Sequence, residues 1–175
     1  MTMENFPAPG EHPSLLLVDD DEVYCMVLGD ALSKRNYVVH TAHDLASALR
    51  LARQKEPEYA VVDLRIGPES GLELVKQLVA HDENTRIVML TGYASVATAV
   101  ESIKLGAVHY LTKPSTADEV VAALHREEGD TSVPPAEQPL SVKRLEWEHL
   151  QKVLTDHDGN ISAAARALKM HRRTL

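Results

Sequence analysis

Cysteine and long apolar runs are scarce in this sequence of 175 residues. The single cysteine, Cys25, cannot form an internal disulfide, and without a CxxC pair the chain has no pattern for a zinc knuckle. No apolar run approaches the ~18 residues that a membrane span needs. Residues 1–13 contain neither the apolar stretch nor the basic leader of a secretory signal. We therefore expect a cytoplasmic protein that does not cross a membrane.

Basic side chains are in the minority, and they are unevenly distributed along the chain. The sequence has 18 basic and 26 acidic residues, a net charge of −8, which excludes a general attraction to DNA or anionic lipid. Residues 1–140 hold 22 acidic and 11 basic side chains, whereas residues 141–175 hold four acidic and seven basic ones. Residues 127–139 contain three prolines and no apolar periodicity. The pattern predicts an acidic domain at 14–126, a linker at 127–140 and a short basic domain at 141–175.

The acidic domain alternates short apolar runs with longer amphipathic segments. The runs are aliphatic and favour strands buried on both faces of a parallel sheet. They occupy residues 15–18, 37–41, 59–62, 87–90 and 108–111. Segments with helical spacing follow them, near 22–35, 44–54, 71–80, 95–104 and 116–126. Strict alternation predicts right-handed crossovers, and therefore an α/β fold with a doubly wound, five-stranded parallel sheet.

Polar side chains follow these runs, at the sheet edge where such folds bind ligands. They are Asp19, Asp20 and Asp21 after the first run, Asp63 after the third, Thr91 after the fourth, and Lys113 with Pro114 after the fifth. Clustered carboxylates repel one another, and a bound hard divalent cation usually relieves this repulsion. Mg²⁺ is the cation that suits these ligands best. The lysine and the hydroxyl supply donors for a phosphoryl group. Asp21 taken alone is equally compatible with a helix N-cap.

Four motifs at these strand ends resemble the receiver domains of bacterial two-component response regulators. The motifs are LLLVDDDE at 15–22, VVDLRIGPESGLEL at 61–74, VMLTGY at 88–93 and HYLTKP at 109–114. The resemblance covers about residues 14–126 and implies a flavodoxin-like fold. It implies that Asp63 accepts a phosphoryl group. It also implies that Mg²⁺ binds the carboxylates of Asp19, Asp20 and Asp63 and the backbone carbonyl of Arg65.

The same resemblance implies a switch that reports the phosphoryl group. Thr91 would bond a phosphoryl oxygen, Lys113 would pair with the group, and Tyr110 would change rotamer in response. Lys113–Pro114 would be a cis peptide, an isomer that is common only before proline. Four residues after the acceptor, where receivers often have proline, this sequence has Gly67, so we expect a different loop geometry. A carboxylate is a feasible nucleophile toward phosphorus once Mg²⁺ and a lysine neutralise the transferring group.

The basic domain predicts three helical pieces, from about 142 to 155, from 161 to 168 with Asn160 as N-cap, and from about 171 onward. The segment ISAAARALKMHRRTL at 161–175 resembles the helix-turn-helix of Fis-type DNA-binding domains. The residues that this resemblance brings to DNA are His171, Arg172, Arg173 and Thr174. The sequence ends about one turn into the recognition helix, so we expect a truncated form of the domain.

Together the two domains resemble the compact RegA/PrrA/ActR branch of response regulators. The shared strings are AVVDLR at 60–65, LTGY at 90–93, ATAV at 97–100 and MHRRTL at 170–175. A central ATPase, as in larger activators with Fis-type helices, is not expected because no GxxxxGK loop occurs. The branch implies a sensor histidine kinase as phosphodonor, promoter DNA as target, and redox- or oxygen-responsive transcription as output. A homodimer is expected on phosphorylation.

Two other functions remain compatible with the residues. One is a magnesium-dependent phosphohydrolase with Asp63 as nucleophile. Because the sequence shows no dedicated general acid, we expect no enzyme beyond self-phosphorylation from small donors and autodephosphorylation. The other is a receiver that acts through protein contacts only, with the C-terminal helices as a dimerisation module. We expect Cys25 to be a buried or half-buried apolar residue rather than a redox centre.

Overall fold

The computed structural model describes residues 11–126, 152–153, 155–158 and 160–168. The chain separates into two compact units, Met1–Gly129 and Asp130–Leu175. Most of the described residues belong to the first unit. Among the described helices, none combines the length and the apolar character needed to cross a bilayer.

The first unit alternates strands and helices as the sequence predicts. The strands are β1 (Ser14–Val18), β2 (Val38–Ala42), β3 (Tyr59–Val62), β4 (Arg65–Ile66), β5 (Glu69–Ser70), β6 (Arg86–Thr91) and β7 (His109–Thr112). The helices are α1 (Glu22–Ser33), α2 (Leu45–Lys55), α3 (Gly71–His81), α4 (Val96–Lys104) and α5 (Ala117–His125). β4 and β5 form an antiparallel hairpin that the apolar pattern did not predict, because strands of two residues show no periodicity.

Five strands form one parallel sheet in the order β2–β1–β3–β6–β7. This order confirms the predicted doubly wound, flavodoxin-like fold. β1 pairs with β3 so that Val18 lies opposite Val62, and Asp19 and Asp63 therefore leave the two strands side by side. Because all five strands run in the same direction, the loops after β1, β3, β6 and β7 meet at one edge of the sheet.

The hydrophobic core lies on both faces of the sheet. Leu15 and Leu17 point to the face covered by α1 and α5, whereas Leu16 and Val18 point to the face covered by α2 and α3. Burial on both sides explains why the central strands have continuous apolar runs instead of an alternating pattern. Cys25 is buried on the face covered by α1 and α5, as its apolar setting in the sequence predicts.

The two edge strands correct the expectation that every run is buried on both faces. β2 begins with the exposed Val38, and β7 contains no fully buried residue. An edge strand has a neighbour on one side only, and the helices cover the centre of the sheet better than its margins. β2 also begins one residue later than predicted. Asn36 has a positive φ of 69°, and the Tyr37 N–H donates to the Leu32 carbonyl, so the turn after α1 extends through Tyr37.

The end of α5 is hydrogen-bonded to the amino end of β6, at the opposite end of the strands from Asp63. Arg86, the first residue of β6, donates through Nε to the carbonyl of Leu124 at 2.6 Å and through Nη2 to that of Arg126 at 2.7 Å. These bonds satisfy carbonyl groups that the end of a helix leaves without partners. Tyr37 adds a hydrogen bond of 2.6 Å between its hydroxyl and Nε2 of His125. The last turn of the first unit is therefore held by Arg86 of β6 and by Tyr37, which precedes β2.

α4 is the least buried helix of the first unit. Along its nine residues, all of them described, Ser102 is the only one that is fully buried. Val96 is 82% exposed, and Val100 and Ile103 are about half exposed. Ser95 and Thr98 form a capping box at its start, with the Ser95 Oγ accepting from the Thr98 N–H. The start of this helix is therefore fixed by hydrogen bonds, while few of its side chains are buried.

In the second unit the structure describes one complete helix, α6 (Ile161–Ala167). Asn160 is its N-cap, with Oδ1 accepting from the Ala163 N–H at 3.1 Å. Both the helix and its cap agree with the sequence prediction. Ala164 and Ala165 are buried, as expected of small residues where helices cross. Most of the predicted helix at 142–155 and all of the piece from 171 onward lie outside the described residues.

Candidate functional site

The carboxyl edge of the sheet brings together polar side chains from four adjacent strands. Asp19 follows β1, Asp63 follows β3, Thr91 ends β6, and Lys113 follows β7. The Lys113 N–H donates to the Thr91 carbonyl at 2.9 Å, which continues the pairing of β7 with β6 beyond the last strand residue. The peptide bond between Lys113 and Pro114 is cis, in agreement with the sequence prediction. The residues predicted to share this edge are therefore neighbours in the folded chain.

Three carboxylates form the centre of the cluster. One oxygen each of Asp19, Asp20 and Asp63 lies within 4.8 Å of the other two. Asp19 and Asp63 are 2% and 5% exposed, whereas Asp20 is open to solvent. Burial raises the pKa of Asp19, and the hydrogen bond from Lys113 offsets this only in part. An all-oxygen set of this kind, closed on one side and open on the other, can hold a hard divalent cation.

Lys113 lies between the two buried carboxylates. Its Nζ donates to Oδ2 of Asp19 at 2.5 Å and to Oδ2 of Asp63 at 3.2 Å. Burial alone would lower the pKa of this lysine, but the hydrogen bonds and the attraction of the two carboxylates outweigh it and raise the pKa. Lys113 is therefore a cation in contact with Asp63. A third neighbour is the ring of Tyr24, whose centroid is 4.2 Å from Nζ.

The loop between β1 and α1 is fixed by hydrogen bonds from its own backbone. The Asp21 N–H donates to Oδ1 of Asp19 at 2.9 Å, and Oδ1 of Asp21 accepts from the Tyr24 N–H at 2.9 Å. Asp21 is thus the N-cap of α1, the second of the two roles that the sequence left open for it. His43 contacts the Asp19 carbonyl through Nδ1 at 2.9 Å. These contacts orient Asp19 before any ligand arrives.

The loop after Asp63 depends on two glycines. A Cβ at Gly71 would lie 1.9 Å from the Asp63 carbonyl oxygen, so no larger residue fits there. Gly67 has a φ of +58° at the tip of the β4–β5 hairpin, and its N–H donates to Oδ2 of Asp20 at 3.1 Å. Proline has neither this N–H nor access to this φ. The glycine found where receivers often have proline therefore supports a carboxylate of the cluster.

Thr91 and Tyr110 occupy different surroundings. Thr91 is fully buried, and its hydroxyl accepts from the Tyr93 N–H at 3.1 Å. Tyr110 is half-buried, and its hydroxyl is hydrogen-bonded to that of Thr98 at 2.9 Å and accepts from the Ser95 N–H at 3.4 Å. The ring of Tyr110 therefore points its polar end at the start of α4. Sequence reasoning singled out neither Ser95 nor Thr98, because only the fold brings β7 to this capping box.

The cluster and the fold define a class of protein, and comparisons with known proteins agree with it. The response regulator receiver domain family matches residues 15–125, and the family of bacterial regulatory proteins named after Fis matches residues 141–175. The chain belongs to the DNA-binding response regulators, with a receiver domain and a Fis-type helix-turn-helix. The DNA-facing residues predicted from the sequence, His171, Arg172, Arg173 and Thr174, lie outside the described residues.

Individual relatives confirm the branch that the sequence resembles. The chain is 46% identical over 166 residues to the photosynthetic apparatus regulatory protein RegA of Cereibacter sphaeroides, covering 95% of this chain and 90% of that protein. It is 43% identical to the acid tolerance regulatory protein ActR of Sinorhizobium medicae, covering 95% and 85%. Among solved structures, a response regulator of Burkholderia pseudomallei is 43% identical, with a TM-score of 0.67 over 93% of this chain and 95% of that one.

Proposed function

We propose that this response regulator accepts a phosphoryl group on Asp63 from a sensor histidine kinase and thereby controls transcription. The observation that carries the proposal is the setting of the Asp63 carboxylate, which contacts the Lys113 ammonium and adjoins two further carboxylates. Within this role we assign the receiver domain to residues 14–126, the linker to 127–140 and the DNA-binding domain to 141–175. We expect the protein to act in the cytoplasm.

The transfer is a displacement at phosphorus. A carboxylate oxygen of Asp63 forms a new bond to phosphorus while the bond from phosphorus to the donor histidine nitrogen breaks, and the imidazole keeps the electron pair and takes a proton from solvent. With acetyl phosphate as donor, acetate leaves with the electron pair. Lys113 lies where its positive charge neutralises the oxygens of the transferring group, which is the main protein contribution to such reactions.

The donor set at this edge suits Mg²⁺, which favours oxygen ligands. The carboxylates of Asp19, Asp20 and Asp63 and the backbone carbonyl of Arg65 would hold the ion. When bound, it supplies positive charge that relieves the repulsion among the carboxylates and between Asp63 and the incoming phosphoryl group. The Burkholderia pseudomallei response regulator supports this assignment, since its structure contains a phosphorylated aspartic acid and a calcium ion.

The phosphorylated state is read through Thr91 and Tyr110. The Thr91 hydroxyl bonds a phosphoryl oxygen, and Tyr110 turns into the space that this leaves. That movement separates the Tyr110 hydroxyl from Thr98, which loosens the start of α4. The face formed by α4, β7 and α5 then pairs two copies of the chain. Phosphorylation of Asp63 is thus converted into a homodimer.

The output of the dimer is promoter binding by the Fis-type domain. His171, Arg172, Arg173 and Thr174 contact the DNA, and the seven basic residues of 141–175 attract its phosphates. The regulated genes respond to redox state or oxygen. This last assignment rests on the similarity to RegA proteins, whose name refers to the photosynthetic apparatus.

Labelling by acetyl phosphate in the presence of Mg²⁺ tests the proposal, with intact-mass spectrometry as readout. We expect one phosphoryl group per chain, none in Asp63→Asn, and parent-like labelling in the control Asp30→Asn, which alters an exposed aspartate of α1 paired with Lys34. Asp20→Asn removes the Mg²⁺ dependence together with the labelling, whereas Asp21→Asn has a smaller effect. Labelling that persists in Asp63→Asn contradicts the site.

Two further measurements address the alternative functions. Turnover of p-nitrophenyl phosphate by the parent would indicate a phosphohydrolase, and we expect none beyond loss of the chain's own phosphoryl group. A gel shift of promoter DNA that strengthens with the phosphodonor, and weakens with added salt, separates a DNA-binding regulator from a receiver that acts through protein contacts alone.

A further inference from the structure

Tyr24 is a neighbour of the phosphorylation site. Neither the sequence motifs nor the chemistry of the carboxylates gives this residue a role. It lies in the first turn of α1, directly after the acidic loop, and its N–H is bound by the Asp21 side chain. The loop that carries Asp19 and Asp20 and the turn that carries Tyr24 are therefore one unit. Any contact that Tyr24 makes is positioned together with the carboxylates.

Tyr24 packs against the core on the face of the sheet covered by α1 and α5, and its ring also contacts Lys113. The ammonium has three N–H groups, and Asp19 and Asp63 accept from it at 2.5 and 3.2 Å. On another side the ring of Tyr24 lies with its centroid 4.2 Å from Nζ, well inside the distance at which a ring attracts a cation. Two carboxylates and one aromatic face thus hold the lysine.

The hydroxyl of Tyr24 is not what holds the ring in place. It is buried, and it has no hydrogen-bond partner among the residues that the structure describes. A buried hydroxyl without a partner costs stability, so the hydroxyl does not anchor the side chain. Burial raises the pKa of Tyr24, so the side chain is a neutral phenol and offers Lys113 only its ring face.

The three contacts of Lys113 behave differently when a phosphoryl group arrives. To reach the phosphoryl oxygens, the Lys113 ammonium has to weaken its hydrogen bonds to the two negatively charged carboxylates. The ring of Tyr24 carries no net charge. It can therefore stay in contact with Lys113 without neutralising the positive charge that the phosphoryl oxygens need. We propose that Tyr24 is a positioning residue for phosphoryl transfer to Asp63, its ring keeping the Lys113 ammonium beside the acceptor. This inference rests on the proposed phosphorylation of Asp63.

Variants of position 24 in the full chain test the proposal, with the rate of labelling by acetyl phosphate measured over a range of donor and Mg²⁺ concentrations. Tyr24→Phe keeps the ring, and we expect a rate within about twofold of the parent. Tyr24→Leu removes the ring face, and we expect the limiting rate to fall by about tenfold. The Mg²⁺ concentration for half-maximal labelling stays unchanged, because the ring acts on the lysine. Tyr59→Leu, at the opposite end of the sheet, controls for a general loss of stability.

A double substitution separates positioning of the lysine from a purely structural role. In a Lys113→Met background, adding Tyr24→Leu should cause no further loss of rate, since the lysine it acts upon is gone. A further tenfold loss would overturn the proposal, and so would a Tyr24→Phe variant as slow as Tyr24→Leu. If Tyr24→Leu does not fold, phenylalanine at position 24 carrying one, two or three ring fluorines keeps the shape while weakening the attraction for cations. The rate should then fall with each fluorine, and a constant rate contradicts a role of the ring face.

Failure of this inference is distinguishable from failure of the proposed function. If the parent chain is labelled and Asp63→Asn is not, the acceptor is established whatever position 24 does. If the parent takes up no phosphoryl group, or takes it up at another residue, the proposed function is wrong and the role of Tyr24 is wrong with it.

Discussion

The N–H of Gly67 and Oδ2 of Asp20 are joined by a hydrogen bond of 3.1 Å, which links two loops that lie 47 residues apart in the sequence. Asp20 is the exposed member of the carboxylate cluster, and this bond joins it to the loop after Asp63. The backbone of one loop thus orients a side chain of the other.

Substitutions at Gly67 should affect Mg²⁺ binding in a graded way. Gly67→Asn keeps the N–H and tolerates the positive φ, so we expect affinity close to that of the parent. Gly67→Pro removes the N–H and cannot adopt the φ of +58°, so we expect Mg²⁺ affinity to fall by about tenfold, as for the loss of other groups that orient metal ligands. Isothermal titration with Mg²⁺ measures both. Equal affinities would show that Asp20 needs no support from the hairpin.

Thr91→Ala should separate phosphorylation from its output. Thr91 is buried at the end of β6 and its hydroxyl is the group expected to bond the phosphoryl oxygen, whereas Lys113 is the residue that contacts Asp63. We therefore expect Thr91→Ala to keep much of the labelling by acetyl phosphate and to lose phosphorylation-dependent transcription from a reporter promoter. A variant with full output would mean that Thr91 does not report the phosphoryl group in this protein.

The contact between Tyr110 and Thr98 should favour the unphosphorylated state. Thr98→Val and Tyr110→Phe each remove one hydroxyl of the 2.9 Å bond, which is worth about 1 kcal/mol. We expect faster hydrogen exchange at the start of α4 without phosphorylation, measured by mass spectrometry. Thr98→Val also removes the bond that Thr98 Oγ1 accepts from the Ser95 N–H, and Tyr110→Phe removes the bond that its hydroxyl accepts from the same N–H. The effect of the double variant should still be smaller than the sum of the two single effects, because both changes break the bond between Thr98 and Tyr110. Thr41→Val, an exposed threonine of β2, serves as control, and an additive double variant argues against the contact.

Folding stability should fall on acidification because of His125. Burial and the nearby Arg86 lower the pKa of His125 from its usual value of 6.5, so the unfolded chain takes up a proton at a higher pH than the folded one. The contribution is present above pH 6.5 and is lost as the pH falls below it. We expect urea unfolding to show this loss between pH 7.5 and 5.5, and His125→Gln, which keeps an acceptor for Tyr37, to reduce it.

His40 and His109 also have lowered pKa values, both mainly through burial, so His125→Gln removes only part of the acid sensitivity. His81→Gln at the exposed end of α3 is the matched control. If the pH dependence is identical in His125→Gln and in the parent, the histidine does not titrate differently in the folded and unfolded chains.

Arg172 and Arg173 should contribute differently to DNA binding. The sequence predicts that both residues lie in one helix, and neighbours on a helix point about 100° apart, so the two guanidinium groups should not make the same contact. We expect the alanine variant of one to weaken binding to all sequences alike. The variant of the other should cost ~1–3 kcal/mol at the operator and relax the preference at one position of each half-site. Competition gel shifts with specific and random DNA measure the difference, and equal effects would contradict a base contact.

The positions of Asp19, Asp63 and Lys113 could be predicted from the sequence because two simple rules determine them. Short aliphatic runs identify the strands, and parallel strands end at the same edge, so each residue that follows a run belongs to one site. The N-cap role of Asn160 is equally local. In each case the information lies within a few residues of the position concerned.

Other features depend on side-chain placement between elements that are distant in the chain. The ring of Tyr24 under Lys113 and the Tyr110 hydroxyl at the capping box of α4 follow from packing distances that no periodicity encodes. The sequence shows Gly67 as a departure from the family pattern, but its bond to Asp20 depends on how the fold brings the two loops together. The late start of β2 results from a turn whose positive φ at Asn36 the apolar pattern does not show.

The low burial of α4 has a consequence for how the sequences of related response regulators diverge. A helix that places one small polar residue in the interior puts few demands on the rest of its sequence, so Val96, Val100 and Ile103 can be exchanged at little expense to folding. If two copies pair through this face as proposed, duplicated copies of the gene can acquire different side chains on it and stop recognising one another while their acidic sites stay the same. Insulation between parallel signalling systems is accessible here by a handful of substitutions.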